Sequence, residues 1–253
     1  MRLAIWLGVL LLGYCTSALA AELRLYTEEY RPLSYIENGT LTGMAVEVTE
    51  LLIQRTGQAA RIELVPWTRG YHQVQHEANS GLFAMVRTPQ REALFQWVGP
   101  IALGRTSFYS RRGAGLSIRG VKDVEQFSTL VVPKNWYSYE YLRGQGLKNL
   151  YGVPTPQHMV KMFKHGRIEL LVANNLVLDN MLAEQGMRRD EVELQYTFMA
   201  NNSYIAFSKS TDPALVQRWQ QALEQSGHDG SLQRIHQRWF GEPYSLDALM
   251  PAP

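Results

Sequence analysis

Apart from its first residues, the chain alternates short apolar runs with stretches in which apolar side chains recur at helical spacing. Residues 22–26 alternate polar and apolar side chains, which predicts an opening strand. The segment 44–55 has the pattern of an amphipathic helix that ends near Gly57, and 60–65 predicts a second strand. A strand, helix, strand order implies a parallel pair of strands joined by a right-handed crossover.

The same alternation continues along the rest of the chain. Further strands are predicted at 82–86, 95–98, 129–133, 168–173 and 204–207, and further helices at 71–78, 137–143, 156–164, 176–185, 213–226 and 232–239. Gly99-Pro100 is predicted to end the extended segment before it. Small residues at 113–115 follow a strand-like segment and predict a crossing between two lobes. The fold class is therefore α/β, with a chain that returns to its first lobe.

The first residues have the pattern of a secretory signal peptide. Arg2 precedes an apolar run at 3–12, and a segment of small residues ends at Ala20. The run is too short to span a bilayer, so we expect cleavage after Ala20 and export to a bacterial periplasm. Cys15 is the only cysteine of the chain, and the bulky Tyr14 before it argues against lipid attachment.

Composition narrows the class of protein. Hydrophobic residues make up 45% of the 253 residues and charged residues 19%, which excludes a disordered chain and suits one large domain or two small ones. The 25 Lys and Arg residues are balanced by 23 Asp and Glu residues, so the basic stripe of a nucleic-acid-binding protein is absent. No segment after the first residues is long and apolar enough to predict a membrane span.

Several segments, taken in their order, resemble one known family. They are YRPLSY (30–35), GMAVEV (43–48), PWTR (66–69), RTPQR (87–91), GP (99–100), GRIE (166–169), DGSL (229–232) and RWFG (238–241). This set is similar to the type II periplasmic solute-binding proteins of family 3, which are best known for polar amino-acid uptake by ATP-binding-cassette (ABC) importers.

The resemblance implies a fold, a function and partners. The fold is a two-lobed periplasmic-binding-protein type II fold, whose cleft closes on a ligand by a hinge at two crossing strands. We expect the lobes to comprise 21–109 with 204–253, and 110–203. The protein is then a monomer without a cofactor that delivers a small ligand, expected to bear a carboxylate, to an ABC permease in the inner membrane.

In the first lobe, the segment 87–91 carries the residues that matter most. Arg91 stands where the family's arginine binds a ligand carboxylate, and a guanidinium suits that role because it offers two parallel donors and stays charged. Thr88 belongs to the same motif. Arg87 is either a second clamp on the ligand or a solvated charge.

Two further positions of the first lobe have aromatic side chains that suit a ligand cleft. Trp67 and Arg69 together would offer a stacking surface and a charge, unless Trp67 is part of the core. Tyr30 follows the first strand, and ligands of open α/β sheets lie beyond the carboxyl ends of strands.

The second lobe departs from the family's pattern at two places. Where relatives have a Gly-Thr or Gly-Ser segment, this chain has bulky Trp136 and Tyr137, followed by Ser138, which either meets the ligand or caps a helix. Asn174 stands where amino-acid-binding relatives have an aspartate that pairs with the ligand ammonium. An amide cannot neutralise that charge, so the sequence favours a carboxylate ligand without an ammonium group, or a ligand held chiefly by aromatic rings and arginines.

An enzyme and a metal protein are weaker interpretations. His72 and His76 are four residues apart on a predicted helix, but no third metal ligand accompanies them, so we expect no metal. The chain has no nucleophile elbow and no phosphate loop. A periplasmic dehydratase on this fold would need a cleft carboxylic acid, for which Glu28, Glu29 and Glu140 are candidates. A sensor module would differ in its partner, not in its cleft.

Overall fold

The structure is a computed structural model that describes residues 22–241, and its largest element is a mixed sheet of six strands. The predicted signal peptide and Cys15 lie outside these residues. The strands are β1 (Leu23–Thr27), β2 (Tyr35–Glu37), β3 (Thr40–Thr42), β4 (Ala60–Leu64), β5 (Ser80–Val86), β6 (Phe95–Arg111), β7 (Leu130–Pro133), β8 (Leu150–Val153), β9 (Leu170–Asn174) and β10 (Val192–Ser208). The helices are α1 (Met44–Thr56), α2 (Trp67–His76), α3 (Pro89–Glu92), α4 (Tyr137–Gly144), α5 (Pro156–Lys164), α6 (Asn175–Ala183), α7 (Pro213–His228) and α8 (Ser231–Phe240).

The strands of the large sheet follow the order β4-β1-β5-β10-β6-β9. β1 pairs in parallel with β4 and with β5, so the predicted parallel pair around α1 is confirmed. β10 pairs antiparallel with β5 and with β6, and β6 pairs antiparallel with β9. Two small sheets, β2-β3 and β7-β8, complete the pairing of the described strands.

β6 and β10 are the two longest strands, with 17 residues each, and they pair with each other along nearly their whole length. The prediction that Gly99-Pro100 ends an extended segment is wrong. Pro100 lacks an N–H and the Gly99 N–H donates to Gln220 Oε1 at 3.0 Å, yet the ladder resumes because the register shifts opposite them. The local pattern marked this interruption correctly but did not show that pairing continues beyond it.

Each lobe has its own hydrophobic core, and the two long strands contribute residues to both. The first lobe is built around β1, β4, β5, α1, α2, α7 and α8, with core residues such as Leu25, Phe83 and Trp219. The second lobe is built around β7, β8, β9 and α4 to α6, with core residues such as Val131 and Phe163. β6 and β10 pass from one core to the other, which is the two-lobed architecture that the resemblance implied. The exact division at 109/110 and 203/204 stays a prediction.

Other differences from the sequence prediction are three short strands that it lacks, β2, β3 and β8, and shifted element ends. Asn38-Gly39, a dipeptide typical of tight turns, has both residues at positive φ (50° and 79°) and joins the short strands β2 and β3. α2 begins at Trp67 rather than at Tyr71, and β9 extends to Asn174. Among residues 22–241, no helix combines the length and the hydropathy that a membrane crossing requires.

Candidate functional site

A cavity of about 330 Å³ lies between the two lobes, a size within the range of small-molecule sites. Its walls come from the carboxyl ends of β1, β5 and β7 and from the starts of α2, α4 and α5, as expected for ligand sites of open α/β sheets. The first lobe contributes Glu28, Glu29, Tyr30, Trp67, Ala84, Val86 and Arg91. The second lobe contributes Pro133, Asn135, Trp136, Tyr137, Pro154, Thr155, Pro156 and Gln157.

Five of the ten residues that the sequence singles out line this cavity. They are Tyr30, Trp67, Arg91, Trp136 and Tyr137. The aromatic members cover opposite walls, because Tyr30 and Trp67 belong to the first lobe and the other two to the second. Together with one arginine they form a cavity in which flat apolar surface surrounds a fixed charge.

The other two predicted arginines do not line the cavity. Arg69 is exposed in the first turn of α2. Arg87 is also exposed and forms a double hydrogen bond with Glu92, through Nε at 2.7 Å and Nη2 at 2.5 Å. Its guanidinium lies 5.6 Å from the ring centre of Trp97 and 5.3 Å from that of Tyr204. Neither side chain is placed to clamp a ligand in this cavity.

Thr88 and Ser138 are buried and lie close in sequence to residues that line the cavity. They are not themselves part of the cavity wall. Thr88 precedes α3 without capping it through its side chain, and Ser138 lies in the first turn of α4. Within the described part of the chain, both hydroxyl groups lack a hydrogen-bond partner. They therefore remain candidates for polar contact with a ligand.

Arg91 is the central charge of the cavity, and its surroundings hold it in place. The residue is only 4% exposed, and its guanidinium lies 5.3 Å from the ring centre of Trp67 and 5.5 Å from that of Tyr71. Two aromatic faces stabilise a cation and restrict its side chain. Nη2 also contacts Glu140 of α4, at 3.3 Å from Oε1 and 3.4 Å from Oε2. The buried guanidinium can present its planar fork to a carboxylate.

Glu28 follows β1 and places a carboxyl group in the same cavity as Arg91. Burial raises the pKa of Glu28 from 4.5 to about 7, although the positive charge of Arg91 lowers it in part. Near neutral pH this group therefore exchanges between its charged and its neutral form. The sequence analysis named Glu28 only as an acid for an enzyme. Its position just after the first strand was the available signal for a ligand site.

The phenol groups of the cavity stay protonated. Burial raises the pKa of Tyr30 well above its usual value, and the nearby Tyr137 and Glu28 raise it further. Burial also raises the pKa of Tyr137, although hydrogen bonds to Thr106 and Asn174 oppose this effect. Both residues thus offer a neutral ring and an O–H group to whatever occupies the cavity.

Tyr137 also belongs to a ring of hydrogen bonds at the crossing strands. Thr106 Oγ1 donates to Asn201 Oδ1 at 2.5 Å, Asn201 Nδ2 donates to Tyr137 Oη at 3.0 Å, and Tyr137 Oη donates to Thr106 Oγ1 at 2.7 Å. Each group thereby donates once and accepts once. Because Thr106 lies on β6 and Asn201 on β10, this ring ties α4 to both long strands.

Asn174 lies at the same crossing rather than in the cavity wall. It is 2% exposed, and its Oδ1 accepts from the backbone N–H of Leu176 at 2.9 Å, which caps α6. Capping α6 is thus one role of Asn174, beside its hydrogen bond to Tyr137. The counter-charge for a ligand ammonium group need not come from position 174. Acidic groups are available elsewhere, because Glu28 and Glu29 line the cavity with Arg91 and Glu140 contacts Arg91.

We expect Tyr137→Phe to lower the free energy of unfolding by about 1–2 kcal/mol, because the buried groups of Thr106 and Asn201 lose their shared partner. Urea denaturation measures this loss. Tyr139→Phe is the matched control, since Tyr139 is a half-buried neighbour on the same helix. Equal losses in both variants, or none in Tyr137→Phe, would refute the role of the hydrogen-bond ring.

No metal centre is visible among residues 22–241, where no group of three or more His, Cys, Asp or Glu side chains is placed to hold an ion. The rings of His72 and His76 stack at 4.2 Å on α2, and His76 Nδ1 lies 2.7 Å from the backbone oxygen of His72. His76 Nδ1 is therefore engaged by the backbone of its own helix.

The family model of the bacterial extracellular solute-binding proteins, family 3, matches residues 23–242. The chain belongs to this family. Family 3 relatives include the L-cystine-binding protein TcyA of Bacillus subtilis (strain 168), which is 22% identical over 219 residues and aligns over 85% of this chain and 80% of its own length. The sequence resemblance is thereby confirmed.

Solved structures share the same two-lobed architecture. A histidine kinase sensor domain with similarity to periplasmic binding proteins has a TM-score of 0.77 at 18% identity, over 89% of this chain and 98% of its own. The arginine-, lysine-, histidine-binding protein ArtJ from Geobacillus stearothermophilus has a TM-score of 0.73 at 16% identity, over 90% and 99%. At these identities the likeness shows the fold, and the ligand has to be argued from the cavity.

Proposed function

We propose that this protein captures a small amino acid between its lobes and delivers it to an ABC importer. The observation that carries this proposal is that a buried guanidinium, Arg91, and a carboxyl group, Glu28, line the same interlobe cavity. An amino acid with a cationic group matches this pair, because its carboxylate suits Arg91 and its positive charge suits Glu28. Relatives named as binders of L-cystine and of arginine, lysine and histidine support the same class of ligand.

The aromatic walls complete the proposed site. Tyr30 and Trp67 from one lobe and Trp136 and Tyr137 from the other lie on either side of the space between the charges. Flat side chains on both sides would cover an aliphatic or planar ligand body and exclude water from the charged contacts. Thr88 and Ser138, with their unpartnered hydroxyl groups, would join once the lobes close further.

The cellular setting of the proposal follows from the family and from the sequence. Family 3 proteins are described as extracellular, and the predicted signal peptide at 1–20 is consistent with a periplasmic protein. We propose that the protein acts as a monomer and that its partner is an ABC permease in the inner membrane. The lobes are proposed to divide at 109/110 and 203/204.

Thermal unfolding of the purified protein with a panel of ligands tests this function. The panel contains the common amino acids and, for each basic one, analogues that lack either the carboxylate or the amino group. A ligand at one hundred times its dissociation constant adds about 2.7 kcal/mol of stability, which shifts the midpoint by several degrees. We expect basic amino acids to give the largest shift. Stabilisation by carboxylates alone, with no amino acid active, would contradict the proposal.

One observation favours a second candidate, an enzyme of the dehydratase type. The pKa of Glu28 near 7 is what a general acid or base needs at neutral pH. The relatives reported above are binding proteins, so we rank this function second. Incubating the protein with each stabilising ligand and recording proton NMR spectra separates the two functions. A binder returns its ligand unchanged, whereas an enzyme converts it.

A further inference from the structure

The ion pair between Arg91 and Glu140 crosses the cleft. What we infer from this contact rests on the proposed function. Arg91 belongs to α3 of the first lobe, and Glu140 belongs to α4 of the second. Of all the ion pairs within residues 22–241, this is the one that joins the two lobes, since the others lie within a single lobe. A direct charge contact across a hinge favours the closed arrangement of the lobes.

The carboxylate of Glu140 takes the same guanidinium that the proposed function assigns to the ligand. Both of its oxygens approach a single nitrogen, Nη2, at 3.3 Å and 3.4 Å, so the pair lacks the parallel two-nitrogen geometry of the strongest arginine contacts. The Glu140 side chain is 40% exposed, whereas that of Arg91 is 5% exposed. A carboxylate so open to water retains solvation and leaves its partner at low cost.

Further carboxyl groups near Arg91 strengthen the competition between Glu140 and a ligand carboxylate. Glu28 and Glu29 also line the cavity, so a single arginine faces three carboxyl groups when Glu140 is included. A ligand carboxylate that arrives at Arg91 competes with Glu140 for Nη2, because two carboxylates on one guanidinium repel each other. A cationic ligand without a carboxylate faces no such exchange and gains from every acidic group.

We propose that Glu140 is an internal substitute for the ligand carboxylate, which holds the empty cleft closed and competes with the ligand for Arg91. Glu140 is then a specificity-determining residue. It weakens the binding of amino acids and favours amines that lack a carboxylate. It also gives the empty protein a closed state, whose opening has to break one ion pair.

Calorimetric titration of Glu140→Gln tests the competition. The probes are three matched pairs, L-arginine with agmatine, L-lysine with cadaverine, and L-histidine with histamine, in which the second member lacks only the carboxylate. We expect affinity for the bound amino acid to rise about threefold to tenfold, and affinity for its amine to stay the same or fall. Glu140→Ala, which removes the acceptor entirely, should act in the same direction.

Glu92→Gln is the matched control, because Glu92 also pairs with an arginine but does so outside the cavity and within one lobe. It should leave the affinities for both members of each pair within about twofold, the range expected for an exposed ion pair. If Glu140→Gln lowers the affinity for amino acids, or matches Glu92→Gln, the competition is refuted.

A measurement without ligand tests closure separately. Small-angle X-ray scattering should give a larger radius of gyration for empty Glu140→Gln than for the empty wild type and the Glu92→Gln control. Equal values would refute the closing role of Glu140. If none of the six probes binds any variant, the proposed ligand class fails, while the scattering comparison still decides whether Glu140 holds the lobes together.

Discussion

Arg91→Ala is expected to lower the affinity for a stabilising amino acid by about thirtyfold or more. Removing one partner of a buried, hydrogen-bonded charge pair typically costs 2–5 kcal/mol, and each 1.4 kcal/mol is a factor of ten in affinity. Arg91 is the arginine of the cavity wall, and the rings of Trp67 and Tyr71 hold it there. Isothermal titration calorimetry with the ligand identified by thermal unfolding measures the loss.

Two further variants make this result specific. Arg87→Ala removes a neighbouring arginine whose partner is Glu92 and which is not part of the cavity, so it should keep the affinity within about threefold. Arg91→Lys keeps the charge but loses the planar fork, and it should recover only part of the binding. Circular dichroism confirms that each variant is folded. Full affinity in a folded Arg91→Ala variant would show that the ligand carboxylate lies elsewhere or does not exist.

Binding of a basic amino acid is expected to weaken as the pH falls below 7, about fivefold over the first pH unit. The pKa of Glu28 is raised by burial to about 7, so the fraction of charged Glu28 falls about fivefold between pH 7 and pH 6, close to tenfold per unit further below, and changes little above pH 8. A cation in contact with this group needs the charged form. Titration calorimetry between pH 5.5 and pH 8.5 should therefore show affinity that rises with pH and then levels.

Glu28→Gln is the variant that assigns this pH dependence. It should bind as weakly as the wild type does at low pH and should lose the slope below pH 7. For the empty wild type, the free energy of unfolding should fall as the pH rises, whereas the affinity rises. A raised pKa contributes stability that is fully present below the usual value of 4.5 and is lost as the pH rises through about 7. A wild-type affinity that does not change with pH would show that the ligand cation does not contact Glu28.

The elements of the fold were largely predictable because they depend on neighbours in sequence. Thr155 precedes Pro156, and the structure has α5 begin there with the Thr155 side chain as its cap. The pattern at 44–55 predicted α1 to within one residue. The prediction failed at Gly99-Pro100, because the partner strand that lets β6 continue lies about a hundred residues further along the chain.

The candidate site was predictable where one motif carries the chemistry. The segment 87–91 singled out Arg91, and the structure places it in the cavity wall. The same motif could not separate Arg91 from Arg87, because the two side chains have the same chemistry and only the packing decides which of them faces the cleft. From the sequence, Glu28 was a candidate only for the acid of an enzyme. The residues that bury it and raise its pKa are distant in sequence, so its place in the ligand cavity could not be predicted.

By itself, the sequence determined that this is an α/β protein of the family 3 type and singled out Arg91 as the candidate partner of a ligand carboxylate, because helical spacing, turns and short motifs are local properties. The tertiary structure alone decided that Asn174 caps a helix, that Glu28 shares a cavity with Arg91, and that Glu140 reaches Arg91 from the other lobe. These features depend on burial and on charges brought together from distant segments, which only the packing of two lobes creates.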